Sequence, residues 1–118
     1  MFDYRAVVVS VVDGDTIHVD LHLGFEIWQK NATIRLTGIN APELNATDPT
    51  IRASAVASRN ALLSWLPTGT KVTMLSQQDK TEKFGRLLGT ILVDTATGPL
   101  NLNDWMVTNG FAVPYLVK

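Results

Sequence analysis

Three short segments carry the groups in this chain best suited to chemistry. Val12-Asp13-Gly14-Asp15-Thr16 sets two carboxylates around a glycine turn. Arg35-Leu36-Thr37-Gly38-Ile39-Asn40-Ala41-Pro42-Glu43 adds an arginine, an amide and a glutamate. Lys83-Phe84-Gly85-Arg86 adds a second arginine. Guanidinium groups fork phosphate oxygens. Carboxylate and amide oxygens suit a hard cation, and a glutamate beside a water can move its proton. Together these groups suit cleavage of a phosphodiester beside such a cation.

Each segment taken alone has a plainer reading. Asp-Gly is a common turn, and the aspartate can simply cap it. Arg35 sits between the core-facing Ile34 and Leu36 and reads as a solvated strand arginine, or as a functional fork for phosphate. Pro42 stiffens the loop before Glu43, which is where a well-positioned base belongs. Lys83 to Arg86 alone is a turn with basic residues.

The elements that must hold these groups follow from periodicity. Residues 5–12 are rich in valine and read as a buried strand. Residues 15–23 alternate, with Ile17, Val19, Leu21 and Leu23 on one face, and residues 32–37 alternate with Arg35 and Thr37 outward. Asp48-Pro49 is an N-cap followed by a first-turn proline. A helix follows to about Leu66, with Ala55, Val56, Leu62, Leu63 and Leu66 for its apolar face. Residues 71–75 form a fourth strand, 77–85 a charged loop and Leu87–Val93 a fifth strand ended by Asp94–Pro99. A second helix starts at Asn103 as N-cap, with Leu102 and Val107 as staple and Gly110 as its left-handed stop. Three strands, a helix and two strands is the order of a five-stranded OB-fold Greek-key barrel, an α+β fold with a short C-terminal helix.

Composition bounds the partners. The 118 residues suit one domain, residues 1–118, and 46% hydrophobic content suits a real core. The absence of cysteine excludes disulfides and thiolate metal sites. His18 and His22 lie on a polar strand face and read as surface histidines. Trp28, Trp65 and Trp105 read as core or rim packing, with stacking of Trp28 on a base as the lesser alternative. The formal net charge is −1, so any grip on nucleic acid should be local and short, favouring a single strand. No apolar run reaches the roughly 20 residues of a membrane-spanning helix. The N-terminus lacks the start of a signal peptide, which leaves the cytoplasm, or secretion after signal removal, equally open.

The ordered set V-D-G-D-T, R-L-x-G-I-x-A-P-E, K-F-G-R-x-L-G and N-x-x-M-V-x-x-G-x-A resembles the staphylococcal nuclease family, from about Val8 to Tyr115. The resemblance implies an OB-fold, calcium-dependent nuclease acting on DNA and RNA. By position it makes Asp15, Asn40 and the Ala41 carbonyl calcium ligands, with Asp13 around the metal's waters. It makes Arg35 and Arg86 the arginines that clamp the phosphate in the transition state. Glu43 becomes the residue that orients or deprotonates the attacking water. Lys83, Phe84 and Tyr115 fall where the family contacts the terminal phosphate and the base. Tyr115 stands one residue closer to Gly110 than the pattern has it.

Two departures favour another reading. Asn40 stands where the family carries an aspartate, which predicts weaker calcium binding. Phe84 stands where the staphylococcal enzyme has a tyrosine. A module that binds single-stranded nucleic acid or a protein without cutting is therefore the alternative. The joint presence of Arg35, Glu43 and Arg86 favours the enzyme. A monomer is expected, with Val113–Val117 loosely held or packed on a partner copy.

Overall fold

The computed structural model describes residues 2–81 and 87–115. Its strands β1 (Phe2–Asp13), β2 (Thr16–His22) and β3 (Trp28–Leu36) form the expected meander. A two-residue strand β4 (Ile39–Asn40) precedes helix α1 (Pro49–Trp65). Then come β5 (Lys71–Thr81), β6 (Leu87–Thr95), β7 (Gly98–Asn101), helix α2 (Leu102–Thr108) and β8 (Val113–Pro114). The sheet order is β3-β2-β1-β5-β6, and parallel pairing of β3 with β6 closes it into a five-stranded mixed barrel. This is the OB-like α+β architecture expected from the order of elements. The valine-rich β1 is long enough to pair with both β2 and β5, so one strand belongs to both halves of the barrel.

Alternation does the positioning. Ile17, Val19 and Leu21 of β2 and Ile34 and Leu36 of β3 are at most 2% exposed and fill the barrel. Leu23 lies past the end of β2 and is exposed. Asp48 caps α1 by accepting the Thr50 N–H at 2.8 Å, and Pro49 opens the helix. The face α1 buries is Ala55, Ser58 and Leu62, with Leu66 at its end; Val56 and Leu63 are exposed. Positions 55, 58, 62 and 66 follow the helical period, and 56 and 63 are turned about a quarter circle away. Burying Leu62 and Leu66 contributes about 1.5–3 kcal/mol each.

Three further expectations change. The charged stretch expected as a loop is strand as far as Thr81, and residues 82–86 lie outside the described residues. Strand β6 runs on to Thr95 and turns through a hairpin into β7. Helix α2 is capped by Asn101, whose side chain accepts the Asp104 N–H at 3.1 Å, rather than by Asn103. Asn103 is inside the helix and 2% exposed. It accepts the Ile91 N–H at 3.1 Å and donates to the Thr37 and Gly89 carbonyls at 2.9 and 3.1 Å. The expected staple of Leu102 and Val107 falls with the cap, because Leu102 now lies inside the helix. Gly110 does follow the C-cap with φ +79. Of the segment Val113–Val117, the described part is held: Val113 and Pro114 pair with Asn40 and Ile39, and the Tyr115 N–H donates to Gly38 O at 2.8 Å, while residues 116 and 117 lie outside the described residues.

Candidate active site

The turn between β1 and β2 brings Asp13 and Asp15 to one end of the barrel. Glycine is needed there because of close packing. A Cβ on Gly14 would meet the Ala41 and Ser58 Cβ atoms at 2.7 and 2.8 Å. The turn is thus pressed between helix α1 and the segment after β4. Ser58 belongs to the same contact and donates to the Phe111 carbonyl at 2.5 Å, tying α1 to the C-terminal segment. Serine's polarity hides Ser58 from a search for apolar positions; only its helical spacing from Ala55 and Leu62 could have found it.

Asp15 is 7% exposed and surrounded by donors. Its Oδ2 accepts the Ala41 N–H at 2.8 Å, and its Oδ1 accepts the Thr16 hydroxyl at 3.0 Å. Arg35 Nη2 stands 3.5 Å from the same Oδ2. The main chain locks the register: the Leu36 N–H donates to Asp15 O at 2.8 Å.

Arg35 departs from the expectation of a solvated strand residue. It is 8% exposed. It points away from the barrel interior but is covered by the turn, β4 and the C-terminal segment. Its Nη1 donates to Leu36 O at 3.0 Å and its Nη2 to Asn40 Oδ1 at 3.2 Å. The Tyr115 ring lies 6.0 Å from the guanidinium carbon, at the outer range of a cation–π contact. Among the described residues no acceptor is bonded to the Arg35 Nε–H. The fork is therefore fixed in place with part of its donor edge unused.

Asp13 accepts the Asp15 N–H at 3.1 Å. Its carboxyl is pushed up to about 6, first by partial burial and then by hydrogen bonding to and repulsion from the Asp15 carboxylate.

A polar cleft of about 270 Å³ joins these groups. Asp13, Asp15, Arg35, Asn40, Ala41, Glu43 and Tyr115 all line it, with Pro42. Glu43 is exposed at its edge. Seven residues singled out from the sequence thus share one cleft. Lys83, Phe84 and Arg86 lie outside the described residues. The donors are all oxygen, which suits a hard cation. A carboxyl raised by burial and by a neighbouring carboxylate is a place where a divalent charge relieves repulsion. Among the described residues no three His, Asp or Glu side chains group closely enough to hold an ion by themselves. A cation would draw as well on the Asn40 amide oxygen, main-chain carbonyls and water.

The family described as staphylococcal nuclease homologue matches residues 33–118. Endonuclease YhcR of Bacillus subtilis (strain 168) is 31% identical over 122 residues, which span 98% of this chain and 9% of that protein. An uncharacterized protein of Methanocaldococcus jannaschii is 25% identical over 130 residues, 96% of this chain and 60% of its own length. Protein ParB of Escherichia coli is 30% identical over 118 residues, 96% of this chain and 58% of its own length. The chain thus spans less than two thirds of each of these relatives. The family match covers the arginine, the loop through Glu43, both helices and the closing strands, and on it the chain belongs to the staphylococcal nuclease homologues.

Proposed function

We propose that residues 1–118 act as one nuclease domain that hydrolyses phosphodiester bonds of DNA and RNA with calcium, favouring single-stranded or frayed strands. One observation carries this reading: Arg35, Glu43, Asp15 and Tyr115 line a single open cleft. The family supports hydrolysis of nucleic acid in general, and Endonuclease YhcR is named for such an activity.

In this reading the free edge of the Arg35 fork holds a phosphate oxygen, and its bonds to Leu36 O and Asn40 keep that edge in place without reorganisation. Glu43, at the exposed rim, orients a water and takes its proton. Arg86, which precedes β6 in sequence, supplies the second guanidinium. Lys83 and Phe84 contact the terminal phosphate and the base, and the Tyr115 ring stands beside Arg35 where a nucleotide enters. Asp15, Asn40 and the Ala41 carbonyl hold calcium, with Asp13 around its waters. When bound, calcium supplies charge that stabilises the anionic transition state. The acidic cleft and a net charge of −1 favour a locally held single strand over a duplex gripped along its length.

A second reading, binding without cutting, rests on Asn40. Its amide oxygen is neutral and already accepts from Arg35, which lowers the charge offered to a cation. Digestion of heat-denatured DNA in calcium and in chelator, with Glu43→Ser as control, separates the two. Calcium-dependent cleavage lost in the variant supports the nuclease. Folded protein that cleaves nothing at millimolar calcium refutes it and leaves the binding module.

A further inference from the structure

A groove larger than the acidic cleft, about 440 Å³ against about 270 Å³, lies on the outer face of the barrel, at the other end of β1. Strand register builds it. Trp28 of β3 stands opposite His22 of β2, His22 opposite Arg5 of β1, and Arg5 opposite Thr73 of β5. These four residues make a row across four neighbouring strands, about 14 Å long at the usual interstrand spacing. Lys71, two residues before Thr73, flanks the row, and all five line the groove.

The chemistry of the row is mixed in a particular way. The Trp28 and His22 rings lie 4.8 Å apart at 55°, and Trp28 is 41% exposed. Asn31, with φ 53 and its N–H held by Asp20 Oδ1 at 2.9 Å, marks the irregularity in β2–β3 pairing beside Trp28. Lys30 Nζ sits 5.5 Å from the Trp28 ring, but it is largely exposed and its pairing with Asp20 at 3.6 Å is loose. It can swing aside. Arg5 and Lys71 make no ion pair among the described residues. Among the described residues Asp94 is the one acidic side chain lining the groove. An aromatic pair next to unpaired cations is the arrangement that stacks a base and neutralises neighbouring phosphates. A chain of overall charge −1 has no general attraction for a polyanion, so these cations act locally.

We propose that this groove is a second nucleic-acid site, which holds a single strand some distance from the cleft where it is cut. That the strand is cut in the cleft rests on the nuclease reading; its binding in the groove does not. Arg5 lies eight residues from Asp13 along β1, or about 26 Å of strand. At about 3.4 Å per nucleotide that is roughly eight nucleotides. A long strand can occupy both places and a dinucleotide cannot. The exposed Trp28 ring takes a base of any kind, so the groove adds affinity and length preference without sequence preference.

The test uses a fluorescein-labelled oligothymidylate of about 20 nucleotides, long enough for both sites. Its binding is read by anisotropy in chelator, so that nothing is cut. Trp28→Ala should weaken binding on the order of tenfold, and Trp28→Phe should keep most of it. Arg5→Gln with Lys71→Gln should flatten the slope of log K against log salt by about 1.4, at about 0.7 per phosphate. With calcium, these variants should raise KM for the oligonucleotide, keep its kcat, and leave hydrolysis of a dinucleotide unchanged. Unchanged affinity and salt slope in the variants would overturn the proposal, as would equal losses on oligonucleotide and dinucleotide. If the wild-type chain cleaves neither substrate but binding falls as stated, the groove stands and the nuclease reading fails.

Discussion

In the proposed mechanism the Arg35 side chain has a phosphate-directed role beside the structural one its contacts show, and the two respond differently to substitution. The sequence alone predicts that Glu43→Ser and Arg35→Gly each abolish most activity and leave the fold intact. The buried contact with Asp15 changes the second expectation. Removing one partner of a buried ion pair strands the other charge, at about 3 kcal/mol. Arg35→Gly should therefore lower both rate and melting temperature. Glu43 is exposed, so Glu43→Ser should cost about 10²–10³ in kcat with an unchanged melting curve. A Glu43→Ser protein with full activity would remove the glutamate from the mechanism. Asp13 gives a pH test. Its folded carboxyl titrates near 6 against an ordinary 3.8, so between about pH 4 and 6 the folded chain binds more protons than the unfolded one. Its contribution to stability then falls as pH rises through that window and stays low above it. In chelator, the stability gained by Asp13→Asn over wild type should be small at pH 4 and grow to a plateau above pH 6. A difference independent of pH would show that the Asp13 carboxyl is not raised.

Among the elements, helix α2 separates two asparagines that look alike in sequence. Asn101 caps from a half-buried position, and Asn101→Ala should cost about 1 kcal/mol. Asn103 satisfies one buried N–H and helps satisfy two carbonyls, Thr37 just past β3 and Gly89 on β6, so Asn103→Ala should cost about 3 kcal/mol. Denaturant titration of the two variants checks the order; a larger loss at Asn101 would invert the assignment. Gly14→Ala tests the turn that aims both aspartates. Its Cβ would enter contacts of 2.7 and 2.8 Å, and overpacking of that kind costs about 1–3 kcal/mol. The same contrast explains what could be read from the chain. Strand β2, the cap at Asp48 and the stop at Gly110 are local signals, and the structure keeps them. The burial of Arg35, the inward turn of Asn103 and the exposure of Val56 and Leu63 depend on which element arrives from elsewhere. No window of neighbouring residues contains that information. Strand β7 was hidden because Gly98-Pro99 reads as a stop, although Gly98, at φ +114, opens a strand that pairs with β6. Within the site, the motifs named the residues, but the hydrogen bonds that immobilise Arg35 came only from the closed barrel.

On the scale of the whole molecule, the cleft exists only because the barrel closes. Its walls come from the β1–β2 turn, the end of β3, the loop after β4 and the segment after α2, and no two adjacent residues form it alone. An unfolded chain therefore offers no comparable site, and calcium bound there must raise global stability by mass action. If the neutral Asn40 is among the ligands, as proposed, a dissociation constant on the order of 1 mM is expected. At about 10 mM calcium this gives about 1.4 kcal/mol, a rise in melting temperature of several degrees for a chain of this size. Asn40→Asp adds a charge at the cation while Arg35 remains beside it to balance that charge in chelator. A tenfold gain in affinity would raise the stabilisation to about 2.7 kcal/mol at the same calcium concentration. The melting temperature should thus move about twice as far with calcium in Asn40→Asp as in the wild type, each measured against its own value in chelator. Magnesium serves as control, because a small ion that keeps several waters gains less from a flexible set of protein oxygens. If calcium leaves both melting temperatures where chelator puts them, the cleft does not hold the ion, and the polar wall of Asp13, Asp15 and Asn40 must act on the strand without a metal.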